Sequence, residues 1–274
     1  MKLNQLPTPV YVIDEDKLTE NLKILRSVEQ NTGCKILLAQ KAFSAFCEYP
    51  LIGQYISGTT ASGLYEARLG KEEMGKENHV FCPAYLDSEF DEIADICDHI
   101  VFNSFAQKQK FYARRKKASV GLRVNPEFST QETAIYDPCA PGSRLGVTKA
   151  NFREDQLDGI EGLHMHTLCD ALAATVEVFE QKFGEYLRGM RWLNLGGGHH
   201  ITKPGYDIAL LERTVGRLSD KYGVQIYLEP GEAVALNAGL LVTKVLEIVD
   251  NGIQTAILDA SAACHMPDVL EMPY

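Results

Sequence analysis

Cys34-Lys35-Ile36-Leu37-Leu38-Ala39-Gln40-Lys41 is a short apolar run that ends on a lysine. A run of this length, apolar nearly throughout, reads as a strand covered on both faces. Three more segments have the same form: Leu163-His164-Met165-His166, Trp192-Leu193-Asn194-Leu195-Gly196-Gly197-Gly198 and Ile226-Tyr227-Leu228-Glu229-Pro230-Gly231. Each is apolar inside and carries reactive or phosphate-holding groups at its exit. A lysine at one strand end proves little. Four such ends that converge on one ligand make a site.

Working outward, apolar runs suited to strands lie at 34–40, 54–58, 79–82, 99–102, 119–124, 160–166, 191–195 and 224–228. Amphipathic helical patterns fill most of the spaces. The first runs from a cap at Asp14 to a stop at Gly33, with Leu18, Leu22 and Leu25 at helical spacing. Others cover 62–74, 87–97, 104–116, 171–187 and 207–222. Alternating strands and helices of this number predict an α/β fold, a (β/α)8 TIM-like barrel, better than an open sheet. In that fold chemistry sits where strands end and loops begin. The barrel is expected over 14–238. Strand patterns at 9–13, 240–250 and 255–259, with a turn at Asn251-Gly252, predict a second, β-rich domain made of 1–13 and 239–274. That domain reads as truncated, because only two new strands follow the barrel.

The chain has 274 residues, 45% of them hydrophobic, and a formal net charge of −10. This balance argues against nucleic acid as a partner and suits a cationic one. The seven cysteines are scattered without a C-x-x-C pair, so they read as free thiols in a reducing compartment. The start, Met1-Lys2-Leu3-Asn4-Gln5-Leu6-Pro7, has no apolar signal region, and no run reaches the ~20 apolar residues of a membrane helix. A cytoplasmic protein with no membrane partner is expected.

The strand-end residues suggest roles. Lys41 can form a Schiff base with the aldehyde of pyridoxal 5'-phosphate. Gly196, Gly197 and Gly198 let backbone N–H groups approach a phosphate, though they lack dinucleotide spacing. Glu229 can hold a proton on a pyridine nitrogen, and His166 can lie against the ring. His164 reads as a core histidine deeper in the barrel. Arg144, in Ser143-Arg144-Leu145-Gly146, is either a solvated loop arginine or a phosphate ligand. Arg123, inside a strand, needs a carboxylate partner, Glu229 or Asp170. Cys169 and Asp170 either line the pocket or open the next helix. His199 and His200 are chain neighbours with no carboxylate at ligand spacing, so no metal site is expected.

Taken together, several strings resemble the fold-type III pyridoxal-phosphate decarboxylases, in particular the branch that acts on carboxylated polyamines. They are Ala39-Gln40-Lys41-Ala42, Gly58-Thr59-Thr60-Ala61-Ser62, Pro141-Gly142-Ser143-Arg144-Leu145-Gly146, His164-Met165-His166-Thr167-Leu168-Cys169, Asn194-Leu195-Gly196-Gly197-Gly198-His199-His200 and Glu229-Pro230-Gly231-Glu232-Ala233. The resemblance covers the whole chain; its last two strings are the specific ones. It implies that Lys41 carries the cofactor, Glu229 pairs with its ring nitrogen, His166 stacks on it and the three glycines help bind its phosphate. Racemases of this fold place arginine at the ring nitrogen, so Glu229 counts against racemisation.

Ornithine-type members have arginine where this chain has Glu232. A carboxylate there suits a substrate with an extra amine, and Asp268 in Met266-Pro267-Asp268 is a second candidate for the same cation. The family completes its site with a Cys- and Asp-bearing loop and a tyrosine from the C-terminal domain, shared across a homodimer. The expected function is α-decarboxylation of carboxynorspermidine or carboxyspermidine in polyamine biosynthesis. Decarboxylation of another basic amino acid and a non-catalytic cofactor-binding homologue are the alternatives.

Overall fold

A computed structural model describes residues 3–131, 134–167 and 172–271. It divides into two units: Thr19–Leu236, and Met1–Leu18 with Asn237–Tyr274. In chain order the strands are β1 (Val10–Ile13), β2 (Lys35–Ala39), β3 (Gly58–Ala61), β4 (Glu77–Phe81), β5 (His99–Phe102), β6 (Ser119–Asn125), β7 (Val147–Thr148), β8 (Gly162–His164), β9 (Trp192–Asn194), β10 (Gln225–Leu228), β11 (Gly239–Val242), β12 (Val245–Asp250) and β13 (Gln254–Leu258).

Eight of these form a closed parallel barrel in the larger unit. The order β5-β4-β3-β2-β10-β9-β8-β6 is closed by a β5–β6 pairing. The expected (β/α)8 barrel is therefore present. Closure pairs every strand on both sides and leaves no open edge in the ring. Short β7 adds to β6 outside it.

Helices between the strands have ordinary local causes. Asp207 caps Ile208–Tyr222 by accepting the Leu210 N–H at 2.8 Å, and Gly223 ends that helix at φ +68°. Ser104 caps Phe105–Phe111 through the Gln107 N–H. The helical pattern at 62–74 is met by an α-helix over Leu64–Leu69 that widens into a π-helix at Gly70–Met74.

One strand lies elsewhere than expected. The run at 54–58 is not the second barrel strand; Gly58–Ala61 is. Its four residues are all buried although two are threonines. Thr59 donates its hydroxyl to the Asn78 side chain at 3.2 Å, so hydrogen bonding offsets the cost of burying it. Apolarity placed the start of this strand four residues early because polar groups stand inside the sheet. The expected strand over 240–250 is likewise broken in two, β11 and β12.

The barrel floor, where strands begin, holds a second set of buried polar groups. The Glu77 carboxylate meets Lys35 at 2.5 Å, the Tyr227 hydroxyl at 2.7 Å and His79 at 2.9 Å. Burial would raise its pKa, but these partners outweigh burial and hold it well below the usual carboxylate range. The His79 and His99 rings stack with centroids 4.0 Å apart. Among the described residues this is the one trio spaced closely enough to hold a metal ion, with ligand atoms within 4.8 Å. Lys35 already neutralises the carboxylate, and His79 and His99 both bring Nε2 to its Oε1, at 2.9 and 3.6 Å. The trio therefore reads as a salt-bridged floor.

In the smaller unit β1 pairs antiparallel with β11, and β12 with β13. Leu246, Ile248 and Ile253 on or beside this second hairpin are strongly exposed.

Trp192 dictates its neighbours' size. Gly121 and Gly162 pair across β6 and β8, and Gly162 pairs with Trp192 on β9. A Cβ on Gly162 would stand 2.0 Å from the Trp192 ring, and one on Gly121 2.1 Å. Gly162→Ala gains about 0.4–1 kcal/mol by stiffening the unfolded chain. Overpacking a rigid indole costs about 1–3 kcal/mol, so the net effect is loss. Urea unfolding should show a lower midpoint with an unchanged slope; a raised midpoint would refute the steric account.

Candidate active site

Lys41 stands two residues beyond the end of β2. Its place is set by Gln40, which is fully buried. The Gln40 side chain donates to the Thr60 carbonyl at 3.4 Å and accepts from the Tyr49 hydroxyl at 3.2 Å. A turn follows, in which the Ala42 N–H reaches the Ala39 carbonyl. The Ala39 N–H in turn donates to the Pro230 carbonyl at 3.2 Å, which ties this turn to the exit of β10. Gly231 is glycine for a matching reason, since a Cβ there would stand 2.4 Å from that of Ala42.

Lys41, His166 and Glu229 line one narrow cavity at the strand exits, together with Ala39, Thr60, Ala61, Ser62, Phe81, Arg123 and His164. It continues into a wider cavity of about 660 Å³, lined also by Arg144 and by residues 135–145. The larger space is loop-built and exposed; the smaller one is walled by the barrel itself.

Glu229 is the most constrained member. The Asn194 amide donates to its Oε1 at 2.7 Å, and His164 Nε2 lies 3.4 Å from Oε2. Burial alone would raise its pKa and disfavour the ionised form. The hydrogen bonds and charge of its partners outweigh burial and hold it well below the usual carboxylate range. His164 is pushed down by burial, against the pull of Glu229. A neutral His164 facing an acceptor-only carboxylate carries its proton on Nε2.

His166 is oriented from the glycine loop. The Gly197 N–H donates to its Nδ1 at 2.8 Å, so the proton of the neutral ring sits on Nε2. Burial, with the charges of Arg123 and Lys41, drives this imidazole well below its ordinary value. Gly196 and Gly198 take φ values of +70° and +88°, open to glycine and strained for other residues. The Gly196 N–H is held by the Asn194 side chain at 2.8 Å. Two of the three glycine N–H groups are thus occupied within the loop. Among the described residues, Gly198 is the one of the three whose N–H has no partner.

Of the two carboxylates expected to pair with Arg123, Asp170 lies outside the described residues and Glu229 does not serve. No carboxylate pairs with it among the described residues, Glu229 included. It donates instead to the His166 carbonyl at 3.3 Å, and its guanidinium lies 4.5 Å from the Phe81 ring centroid. Glu229 is engaged by Asn194 and His164, which explains why it does not serve. Burial pushes the Arg123 guanidinium down to about 10.

Other candidates are not among the residues that line the narrow cavity. Glu232 opens a short helix, Glu232–Ala235, is half-exposed and faces His200 Nδ1 at 3.6 Å. His199 is buried, with neither ring nitrogen hydrogen-bonded to a side chain, and burial pushes it down to about 4. Asp268 belongs to the smaller unit, where it is exposed at the start of Asp268–Glu271. Cys169 and Asp170 lie outside the described residues. Six cysteines are free among the described residues. No helix among them is long and apolar enough to cross a membrane. Asn194, Phe81 and Thr60 line or support the cavity without having been singled out. The one signal for Asn194 was a polar residue inside an apolar run just before the glycines.

No protein-family model matches the chain. It is 48% identical over its whole length to carboxynorspermidine/carboxyspermidine decarboxylase of Campylobacter jejuni, and covers 73% of that protein. It is 40% identical over its whole length to carboxyaminopropylagmatine decarboxylase of Synechocystis, again covering 73%. Its structure matches that of Campylobacter jejuni carboxynorspermidine decarboxylase complexed with norspermidine, with a TM-score of 0.91 and 47% identity over 98% of this chain and 72% of that one. The chain therefore belongs to the carboxynorspermidine/carboxyspermidine decarboxylases, a branch of the fold-type III pyridoxal-phosphate enzymes.

Proposed function

We propose that the narrow cavity binds pyridoxal 5'-phosphate and decarboxylates a carboxylated polyamine of the carboxynorspermidine or carboxyspermidine type. The observation that carries this reading is the meeting of Lys41, His166 and a carboxylate held ionised, Glu229, around one barrel-walled space. The donor set fits the cofactor. A primary amine suits its aldehyde, an ionised carboxylate suits a protonated ring nitrogen, and a neutral imidazole suits a ring face. A glycine loop with a free N–H at Gly198, aided by Arg144, suits the phosphate.

When bound, the cofactor supplies an electron-poor ring that takes up the electron pair left as carbon dioxide departs. The chain's own residues set the conditions. Glu229 keeps a proton on the ring nitrogen, because its own ionised form is fixed by Asn194 and His164. His166 holds one ring face in place through the Gly197 N–H. Phe81 and Ala39 present apolar surface that excludes water and strengthens each charge interaction in the cavity. Lys41, which lines the same cavity, would be the residue that returns a proton to the reacting carbon. In this reading Glu232 receives the ammonium of the substrate's tail. An intracellular homodimer with shared sites belongs to the same proposal, and the exposed apolar side chains of β12 and β13 are consistent with further cover there.

Three outcomes test this reading. Protein supplied with pyridoxal phosphate should show a visible absorption band that borohydride abolishes and Lys41→Ala lacks; a colourless wild type would sink the proposal. Glu229→Gln should lower kcat by about 10²-fold or more, the scale of a lost preorganised charge. The fold should respond too. Glu229 ionises well below its unfolded value of ~4.3, so its stabilisation is full above that value and is lost as pH falls from there towards the lower folded value. The stability gap between wild type and Glu229→Gln, read from urea midpoints, should therefore stay level from pH ~7 to ~5 and move against the wild type on acidification from pH ~4.5 to ~3. Glu232→Gln should raise KM for a carboxytriamine about tenfold or more and leave kcat near wild type, in keeping with a lost charge-assisted hydrogen bond. Unchanged KM would remove Glu232 from the substrate site.

A further inference from the structure

His200 and Glu232 face each other from two different strand exits. His200 lies on the loop that follows β9 and the glycines, and Glu232 opens the short helix that follows β10. Nδ1 of His200 stands 3.6 Å from Oε1 of Glu232, just beyond hydrogen-bond length. Backbone ties hold the two segments together. The Thr202 hydroxyl donates to the Ala233 carbonyl at 2.7 Å, which joins the loop to the helix beside both residues. The Lys203 N–H closes a turn on the His200 carbonyl at 2.9 Å, so the histidine's own backbone is fixed.

The two side chains are not equally held. The His200 ring is 28% exposed and lines a cavity of about 270 Å³ with Leu172, Pro204 and Leu210. The Glu232 side chain is 57% exposed, and His200 is its one side-chain partner among the described residues. A carboxylate that swings in water is a poor anchor, because fixing it on a ligand costs its rotamer freedom. A carboxylate steered beforehand by a held donor loses less. The place of Glu232 gives such steering a use. A Cβ on Gly231 would stand 2.4 Å from that of Ala42, so Glu232 and Lys41 are the chain neighbours of two residues in contact. A substrate whose head reacts at Lys41 runs its tail from that same corner of the barrel.

Resting on the reading of Glu232 given above, we infer that His200 is a positioning residue for the substrate's tail: its Nδ1–H steers Oε1 of Glu232 and leaves Oε2 for the ammonium. The tail covers the pair and strips water from both groups. A contact that is loose in the free protein therefore gains strength in the complex.

The test measures the affinity of the cofactor-loaded protein for norspermidine, the product of the proposed reaction, and for propylamine, which has one amine and no tail. His200→Ala should bind norspermidine about fivefold more weakly than wild type, the scale of one hydrogen bond. His200→Asn, whose amide offers a donor near the position of Nδ1, should recover most of that loss. In a Glu232→Gln background His200→Ala should cost little more. Propylamine affinity and the visible band should stay unchanged in every His200 variant. His200→Phe keeps a ring in the loop and loses both nitrogens, so it repeats the measurement where alanine loosens the loop. Wild-type affinity for norspermidine in these variants overturns the inference. So does an equal loss for propylamine, an equal loss in the Glu232→Gln background, or an asparagine variant no better than alanine. If Glu232→Gln alone leaves norspermidine affinity unchanged, the reading of Glu232 falls and takes this inference with it, whereas the visible band still supports the cofactor reading.

Discussion

A carboxylate inside a closed barrel must find its hydrogen bonds there, because solvent cannot supply them. Glu229 finds them on β9, through the Asn194 amide, and at the end of β8, through His164. Those same residues lead into the glycine loop and His166. Asn194 does double service, since its amide nitrogen holds Glu229 while its oxygen holds the Gly196 N–H. One buried charge thus sets the loop, the loop sets the imidazole of His166, and the exit of β10 is tied back to the turn that presents Lys41. The site is an extension of the sheet's own hydrogen bonding.

Lys41, His166 and Glu229 were legible as strand-end groups because their strands are apolar and short, so the polar residue at each exit stands out. The barrel was legible for the same reason, as eight such runs separated by helical patterns. The part that was hidden is polar and internal. Gly58-Thr59-Thr60-Ala61 has the composition of a loop and becomes a buried strand only because Asn78 answers Thr59. Lys35, Glu77 and Tyr227 lie far apart in sequence and meet at the barrel floor. Arg123 invited a carboxylate partner, and its isolation cannot be read from a chain in which the candidate partners are all present. Pairing inside a barrel depends on which strand faces which, and no one-dimensional pattern records that.

The two ends of the barrel use buried charge in opposite ways. At the floor, Glu77 is enclosed by Lys35, Tyr227 and His79, so its ionised form is fully partnered. At the exits, Arg123 has only a carbonyl and a ring beside it among the described residues. A fully partnered charge holds shape, and an incompletely partnered one is open to a ligand. The difference separates scaffold from site.

The glycine pair beneath Trp192 has a consequence for how this fold can drift over generations. The indole, Gly121 and Gly162 share one small volume, and no member can grow while the others stay as they are. A smaller residue at position 192 would open room that an alanine at 121 or 162 could then take. The three positions should therefore change in concert among descendants of a common ancestor, and the order of changes is directional: the large residue must shrink before either small one expands.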